Sequence, residues 1–491
     1  MKILLVNPPR FHELVGKNPG VIEENRGYNP PLGILSLGTM IRHLTGDKYD
    51  VELLDCQPRQ LSYEWIEKFF KENQYDVVGL TTMTFTLIDV CKTVEIIKKC
   101  QKNCKVVLGG SHVHIFPKET LQLDNVDYII QGEGEYAFIE LLNALTDDKC
   151  LTSIPGLGYK HEGLIFTNGI APKINDLDKL PPPDRTLLPI DHYSSLLGRN
   201  NRTTTMFTSR GCPYQCRFCD RPTSKTISGF RWRSAKSVVD EIEMCVELGI
   251  PEILIYDDTF SVRKDRVFEI CDEIQSRQLK VVWDVRAHVN TVNKKLLKEM
   301  KKAGCDRIHY GVESGNDRML KKIKKGANIA TVKQAFKDTR DAGIEVLAYF
   351  MVGLPTETTQ DIQDINSLAR ELKPSYCHYT IFCPYPDTAI YNEGLEKGII
   401  KSDLWREFAI NPHEGFQLPV WEENFTRAEL QEILVKLYKD FYMRPSYILK
   451  RLARVRSMGE LRRKAKAGIS VLTMQSQRVD KLDLSKAARV K

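Results

Sequence analysis

No stretch of the 491 residues stays apolar for the about 18 positions that a membrane-spanning helix needs. The opening MKILLVNPPR is too short before its Pro-Pro for a secretory signal and reads as a buried first strand, so a cytosolic protein is expected. Paired CxxC motifs are missing, and no CxxC stands near a pair of histidines, which argues against a closed zinc site. Asp-x-His-x-x-Gly occurs nowhere. The 13 cysteines are odd in number and irregular in spacing outside one loop, which does not suit a disulfide framework. Cys56, Cys91, Cys245, Cys271, Cys305, Cys377 and Cys383 sit in or beside apolar segments and read as buried free thiols. Although the net charge is +7, no recognised nucleic-acid module accompanies it, so no nucleic-acid partner is expected.

What is present is a β-then-α alternation that occurs twice. Over residues 1–150, KILLVNPP, DVELLDC, DVVGLTTMT, KVVLGG and DYIIQGEG are short apolar strands, separated by segments with helical spacing. This predicts a doubly wound, Rossmann-like parallel sheet whose ligand lies beyond the carboxyl ends of the strands. Those ends carry Asn7-Pro8-Pro9, Gly109-Gly110 and Gly132-Glu133-Gly134-Glu135, small and backbone-exposing, as a broad ligand would require. Residues 151–200 read as a linker, centred on the proline-rich DLDKLPPPDRTLLP. Residues 201–395 hold six further strand–helix units and predict a partial (β/α)6 barrel of TIM type, with its chemistry on the loops after the strands. Residues 396–491 turn helical and basic, with a disorder-like composition from Gln475.

Directly after the first barrel strand stands CPYQCRFC, with Cys212, Cys216 and Cys219 in one loop. Three thiolates suit a 4Fe-4S cluster with one iron left open. Zinc and simple packing are the competing readings, but the intervening Pro213, Tyr214, Gln215 and Arg217 do not suit a buried apolar strand.

CPYQCRFC resembles the CxxxCxxC signature of radical S-adenosylmethionine enzymes, including the aromatic Phe218 before the last cysteine. The resemblance implies that Cys212, Cys216 and Cys219 hold the cluster and that its open iron chelates S-adenosylmethionine. One electron then gives a 5′-deoxyadenosyl radical, a chemistry the cofactors carry. It also implies cofactor contacts at Asp257 and Asp258 (the ammonium), Glu313 and Ser314 in GVESG, and Gly353 in GLP, beside Glu357. PYPDT at 384–388 is similar to the family's last barrel turn, with Asp387 where Gly is usual. Arg286 and His288 point at the same mouth, His288 being read as structural.

The first domain resembles the cobalamin-binding domain of one large subgroup, in NPP (7–9), PPLGILSL (30–37), LGGSHVHIFP (108–117) and GEGEYAF (132–138). DLDKLPPPDRTLLP and GFRWRSAKSVVDEIE (229–243) recur there too. Asn7, Pro8, Gly109, Gly110, Gly132 and Glu133 are the implied cobalamin contacts. With the Asp-x-His-x-x-Gly motif absent, His ligation of cobalt is not implied, and His112 and His114 read as solvent-facing. A methylthiotransferase is a poor fit, since Cys56, Cys91, Cys100 and Cys104 need not converge.

The expected function is cobalamin-dependent methylation of an unactivated carbon. Oxidative cyclisation of a tetrapyrrole- or lipid-like substrate and non-catalytic metal binding are the alternatives. Expected partners are a small-molecule or lipid-like substrate and a reductant protein such as ferredoxin or flavodoxin. The basic segment 441–468, with Ile448, Leu452 and Val455 on one face, is expected to dock on the barrel, with peripheral membrane contact as the alternative.

Overall fold

The computed structural model describes residues 1–14, 27–195, 198, 200, 202–220, 229–452, 468–469 and 472–473. Val455, most of the basic segment and the tail from Gln475 lie outside the described residues.

Strand β1 (Lys2–Asn7) explains why the first sheet is interior. Ile3 and Leu5 enter one core layer while Leu4 and Val6 enter the opposite one, as alternating side chains must on a strand covered on both faces. With β2 (Asp50–Asp55), β3 (Val77–Thr81), β4 (Lys105–Gly109) and β5 (Tyr128–Ile130) it forms a parallel array in the order β2-β1-β3-β4-β5. Helices α1 (Leu32–Thr45) and α4 (Gly134–Asp147) cover one face; α2 (Tyr63–Glu72) and α3 (Leu87–Cys100) cover the other. The order reverses between β1 and β3, which places a ligand crevice at the carboxyl ends of these strands.

The stretch expected as a plain linker, 151–200, is built differently. β6 (Leu157–His161) and β7 (Leu164–Thr167) form a hairpin that extends the first sheet antiparallel to β5. Its two-residue turn, Glu162-Gly163, has positive φ at both positions, the geometry such tight connections need. The proline-rich part is a strap pinned at both sides. The Asp184 N–H donates to Thr39 Oγ1 on α1 (2.8 Å), and buried Arg185 donates to the Thr205 carbonyl (2.9 Å) and to Glu241 (2.5 Å).

The second sheet runs β8 (Thr203–Met206), β9 (Glu252–Ile255), β10 (Val282–Ala287), β11 (Cys305–Glu313), β12 (Glu345–Val352), β13 (Tyr376–Ile381), parallel and in sequence order. Helices α5 (Ala235–Glu247), α6 (Lys264–Ser276), α7 (Lys294–Lys302), α8 (Ile329–Asp341) and α9 (Thr359–Leu372) fill the crossovers. This is the expected partial barrel, with β8 and β13 as its open edges.

The C-terminal region serves both units. α10 (Leu404–Ile410) sends Phe408 into the core of the first sheet. α11 (Arg427–Tyr442) lies along β13, with Leu430, Leu434, Leu437 and Phe441 in the barrel core. The Tyr442 hydroxyl accepts from the Cys377 N–H (3.0 Å) and donates to its carbonyl (2.7 Å). Tyr438 treats Tyr379 in the same way, at 3.2 and 3.1 Å. These hydroxyls stand where a neighbouring strand's backbone would, and so satisfy the open edge. In α12 (Pro445–Leu452), Arg451 docks on Glu345 at 3.0 Å, while Ile448 and Leu452 remain exposed. Among the described residues no helix is long and apolar enough to cross a membrane.

Candidate cofactor-binding site

Cys212, Cys216 and Cys219 occupy the loop beyond β8, and none is in a disulfide. A short antiparallel ladder, Ser209 to Trp232 and Arg210 to Arg231, closes the loop's base. Its interior is tied to the barrel. The Arg217 N–H donates to the Ile323 carbonyl (3.0 Å), the Ile390 N–H donates to the Arg217 carbonyl (3.2 Å), and Arg217 pairs with Glu393 (2.5 Å). Tyr214 stacks on His288 with ring centroids 3.8 Å apart. Among the described residues no three His, Cys, Asp or Glu side chains converge as ligands of a single ion. Three thiols on one loop are the donor set of a cubane, whose thiolates bind separate irons. Burial pushes the Cys216 thiol up, and the nearby Lys325 charge works against it.

Asp257 is fully buried and holds the start of this loop. Its Oδ1 accepts the backbone N–H groups of Thr208 (2.6 Å) and Ser209 (3.0 Å), and its Oδ2 accepts their hydroxyls (2.5 and 2.6 Å). Arg266 stands 3.7 Å away. Both oxygens are therefore committed to the protein, whereas its neighbour Asp258 lines the cavity described below.

Glu313 ends β11 in the left-handed region (φ 70°), where the register with β12 shifts. Its carboxylate meets Lys325 Nζ at 2.7 Å, and both side chains are buried. Burial disfavours the Lys325 charge, yet Glu313 and Cys216 together raise its pKa. Ser314 is wholly buried, and its hydroxyl has no partner among the described residues. Gly353 adopts φ 83° and gives its N–H to Glu357 Oε2 (2.5 Å). Burial pushes the Glu357 carboxyl up to about 8 against the Gly353 and Leu354 N–H groups, and its Oε1 has no hydrogen-bond partner among the described residues. His288 is a structural residue: Nδ1 accepts from the Asn290 N–H (3.3 Å), Nε2 then donates to the Lys325 carbonyl (2.9 Å), and burial lowers its pKa to about 4. Arg286 lies over the Tyr256 ring at 4.1 Å.

A cavity of about 790 Å³ separates the two sheets. Gly109, Gly110, Gly132, Glu133 and Glu135 line it from the first domain; Ser209, Arg210, Gly211 and Asp258 line it from the barrel. Around Gly109 no heavy atom lies within 4 Å of where a Cβ would stand, so the backbone itself faces the space. This cradle suits a broad, flat group such as a corrin. Asn7 and Pro8 are not among the lining residues: Asn7 donates to Asp55 (2.8 Å), and the Pro8 carbonyl accepts from Gln57 (3.1 Å). The two histidines also depart from expectation. His112 is buried, 3.0 Å from Thr84 Oγ1, with its pKa lowered to about 3 by burial, and His114 lines the cavity. Cys56, Cys91, Cys100 and Cys104 form no metal group among the described residues.

Lys325 and the arginines facing Glu133 were missed by sequence reasoning. GFRWRS, which contains Arg231, was the one available signal, and it carried no hint of its partner.

Fold and site together define a protein that joins a cobalamin-type sheet domain to a radical S-adenosylmethionine barrel. Residues 206–369 match the Radical SAM superfamily, and residues 19–142 match the B12 binding domain. An uncharacterized methyltransferase of Pyrococcus horikoshii is 33% identical over 458 residues, covering 92% of this chain and 94% of that one. The anaerobic magnesium-protoporphyrin IX monomethyl ester cyclase of Rubrivivax gelatinosus is 26% identical over 457 residues, covering 91% and 78%. Among solved structures, the radical S-adenosylmethionine methyltransferase TsrM from Kitasatospora setae, with cobalamin and a 4Fe-4S cluster bound, shares the fold. Its TM-score is 0.74 at 17% identity, covering 95% of this chain and 99% of that one. The chain belongs to the radical SAM enzymes that carry a B12-binding domain. Their cofactors are a 4Fe-4S cluster, S-adenosylmethionine and cobalamin.

Proposed function

We propose that the protein is a methyltransferase acting on an unactivated carbon of a small-molecule substrate. The observation that carries this reading is the shared cavity, framed by glycine-rich strand ends on one side and by the base of the cysteine loop on the other. When bound, the cluster and S-adenosylmethionine supply a 5′-deoxyadenosyl radical, and cobalamin supplies the methyl group.

The chain's own residues bind and orient. Cys212, Cys216 and Cys219 hold the cluster. Asp258 takes the S-adenosylmethionine ammonium, as a carboxylate beside a cation favours. Glu313, set by Lys325, and Ser314 face the methionine and ribose part, and Gly353 lets backbone approach adenine. Gly109, Gly110 and Gly132 offer backbone to the corrin. The electron comes from a small reductant protein such as ferredoxin or flavodoxin.

Oxidative cyclisation is the second reading, supported by the alignment with the cyclase over 91% of this chain. It uses the same cysteines. The test is anaerobic turnover with S-adenosylmethionine labelled in its methyl group, over candidate tetrapyrrole and lipid-like substrates. Label in the product supports methyl transfer; product formed at full turnover without label eliminates it.

A further inference from the structure

Each strand of the ladder that closes the cysteine loop carries an arginine, and both arginines reach the same turn of the other domain. Arg210 meets Glu133 at 2.9 Å and Glu135 at 2.5 Å. Arg231 grips Glu133 with two nitrogens, at 2.8 and 2.9 Å. The Ile174 N–H adds a fourth donor to Glu133 at 2.5 Å. Burial pushes the Glu133 carboxyl up, but Arg231 and Arg210 outweigh it and hold it below its ordinary value. The Glu133 and Glu135 side chains are only 8% and 11% exposed. Such shielded, two-pronged pairs are directional, and losing one partner strands a charge.

Location gives the network its meaning. Glu133 and Glu135 flank Gly134, directly after Gly132, and share the cavity wall with Arg210. Arg210 is two residues before Cys212. Thr208 and Ser209, next along, are the residues that Asp257 holds from the barrel side. The root of the cysteine loop is thus clamped from both domains.

We propose that Arg210 and Arg231, gripping Glu133 and Glu135, are positioning residues that fix the cluster loop against the corrin-facing turn and hold the two metal centres at one separation. This rests on the reading that the three cysteines hold the cluster and the glycines face the corrin; it does not depend on which group is transferred.

The test uses the full chain, reconstituted anaerobically with iron, sulfide and cob(II)alamin. It measures cobalamin affinity and the enhancement of cob(II)alamin spin relaxation by the reduced cluster. Combined Glu133→Gln and Glu135→Gln keeps side-chain shape and removes the charge. This variant should weaken cobalamin binding roughly tenfold, as a coupling between sites of ordinary size would, and change the relaxation enhancement. Arg210→Lys should recover part of both effects relative to Arg210→Ala. Unchanged affinity and enhancement in the double variant would overturn the proposal. If that variant misfolds, a cycle of Arg210→Ala and Glu135→Ala decides, since the clamp requires non-additive losses of cobalamin affinity and additive ones refute it. Iron content of Cys216→Ala tests the cluster reading separately: retained iron would sink that reading while leaving the cobalamin arm interpretable.

Discussion

The two sheets prepare their strand ends in opposite ways. In the first domain Gly109 and Gly132 line the cavity, and Gly109 has open space where a side chain would be. In the barrel the corresponding ends carry charged groups that already have partners. Asp257 is saturated by Thr208 and Ser209, Glu313 is paired through one oxygen with Lys325, and the Gly353 N–H donates to Glu357. A flat macrocycle is recognised by shape over a wide area, which the open backbone at Gly109 suits. A reactive sulfonium demands fixed orientation, so the second sheet spends its polar groups on holding loops in place before any ligand arrives.

Four substitutions would break or sharpen this contrast. Cys216→Ala should have the largest effect: reconstituted iron and 5′-deoxyadenosine fall to background, while cobalamin still binds the first domain. Loss of cobalamin as well, measured by its absorbance after gel filtration, would mean the two ends are not separable. Gly109→Val is the mirror experiment. Because the added side chain enters open space, the fold and iron content should survive while bound cobalamin is lost. Unchanged cobalamin content would show that the strand end is not the cradle.

Asp257→Ala should destabilise the barrel by about 3–5 kcal/mol, since it orphans buried donors and the Arg266 charge. Denaturant unfolding reads this directly. A normal stability with only a raised KM for S-adenosylmethionine would return Asp257 to the role of a cofactor contact. The smallest effect is expected at Glu357. Its folded pKa is raised from 4.5 to about 8, so the stability it contributes is complete below pH 4.5 and is lost as pH rises toward about 8. Glu357→Gln should flatten that slope between pH 5 and 8, and an unchanged slope would place the titration elsewhere.

Much of this architecture could be read along the chain. Strand and helix periodicity gave both sheets, and CPYQCRFC marked the cysteine loop beyond β8. Asp257-Asp258 marks the limit of such reading. Two identical neighbours leave a strand end in different directions, so one is sealed beneath the loop while the other faces the cavity. The hairpin Leu157–Thr167 escaped notice because its second strand is largely exposed and so shows no buried apolar pattern. The helical character of residues 396–491 was legible, but not the amphipathic seating of α11 or the use of Tyr438 and Tyr442 as substitutes for a missing strand.

By itself the sequence determined which elements form, where the thiols lie and which strand ends are bare, because these depend on spacing and residue size within a few positions. Only the tertiary structure decided which charges are already spoken for: Glu133 with Arg231, Glu313 with Lys325, Asp257 with the loop root. A carboxylate's role depends on which donors meet it in space, and here those donors come from elsewhere in the chain, up to 98 residues away.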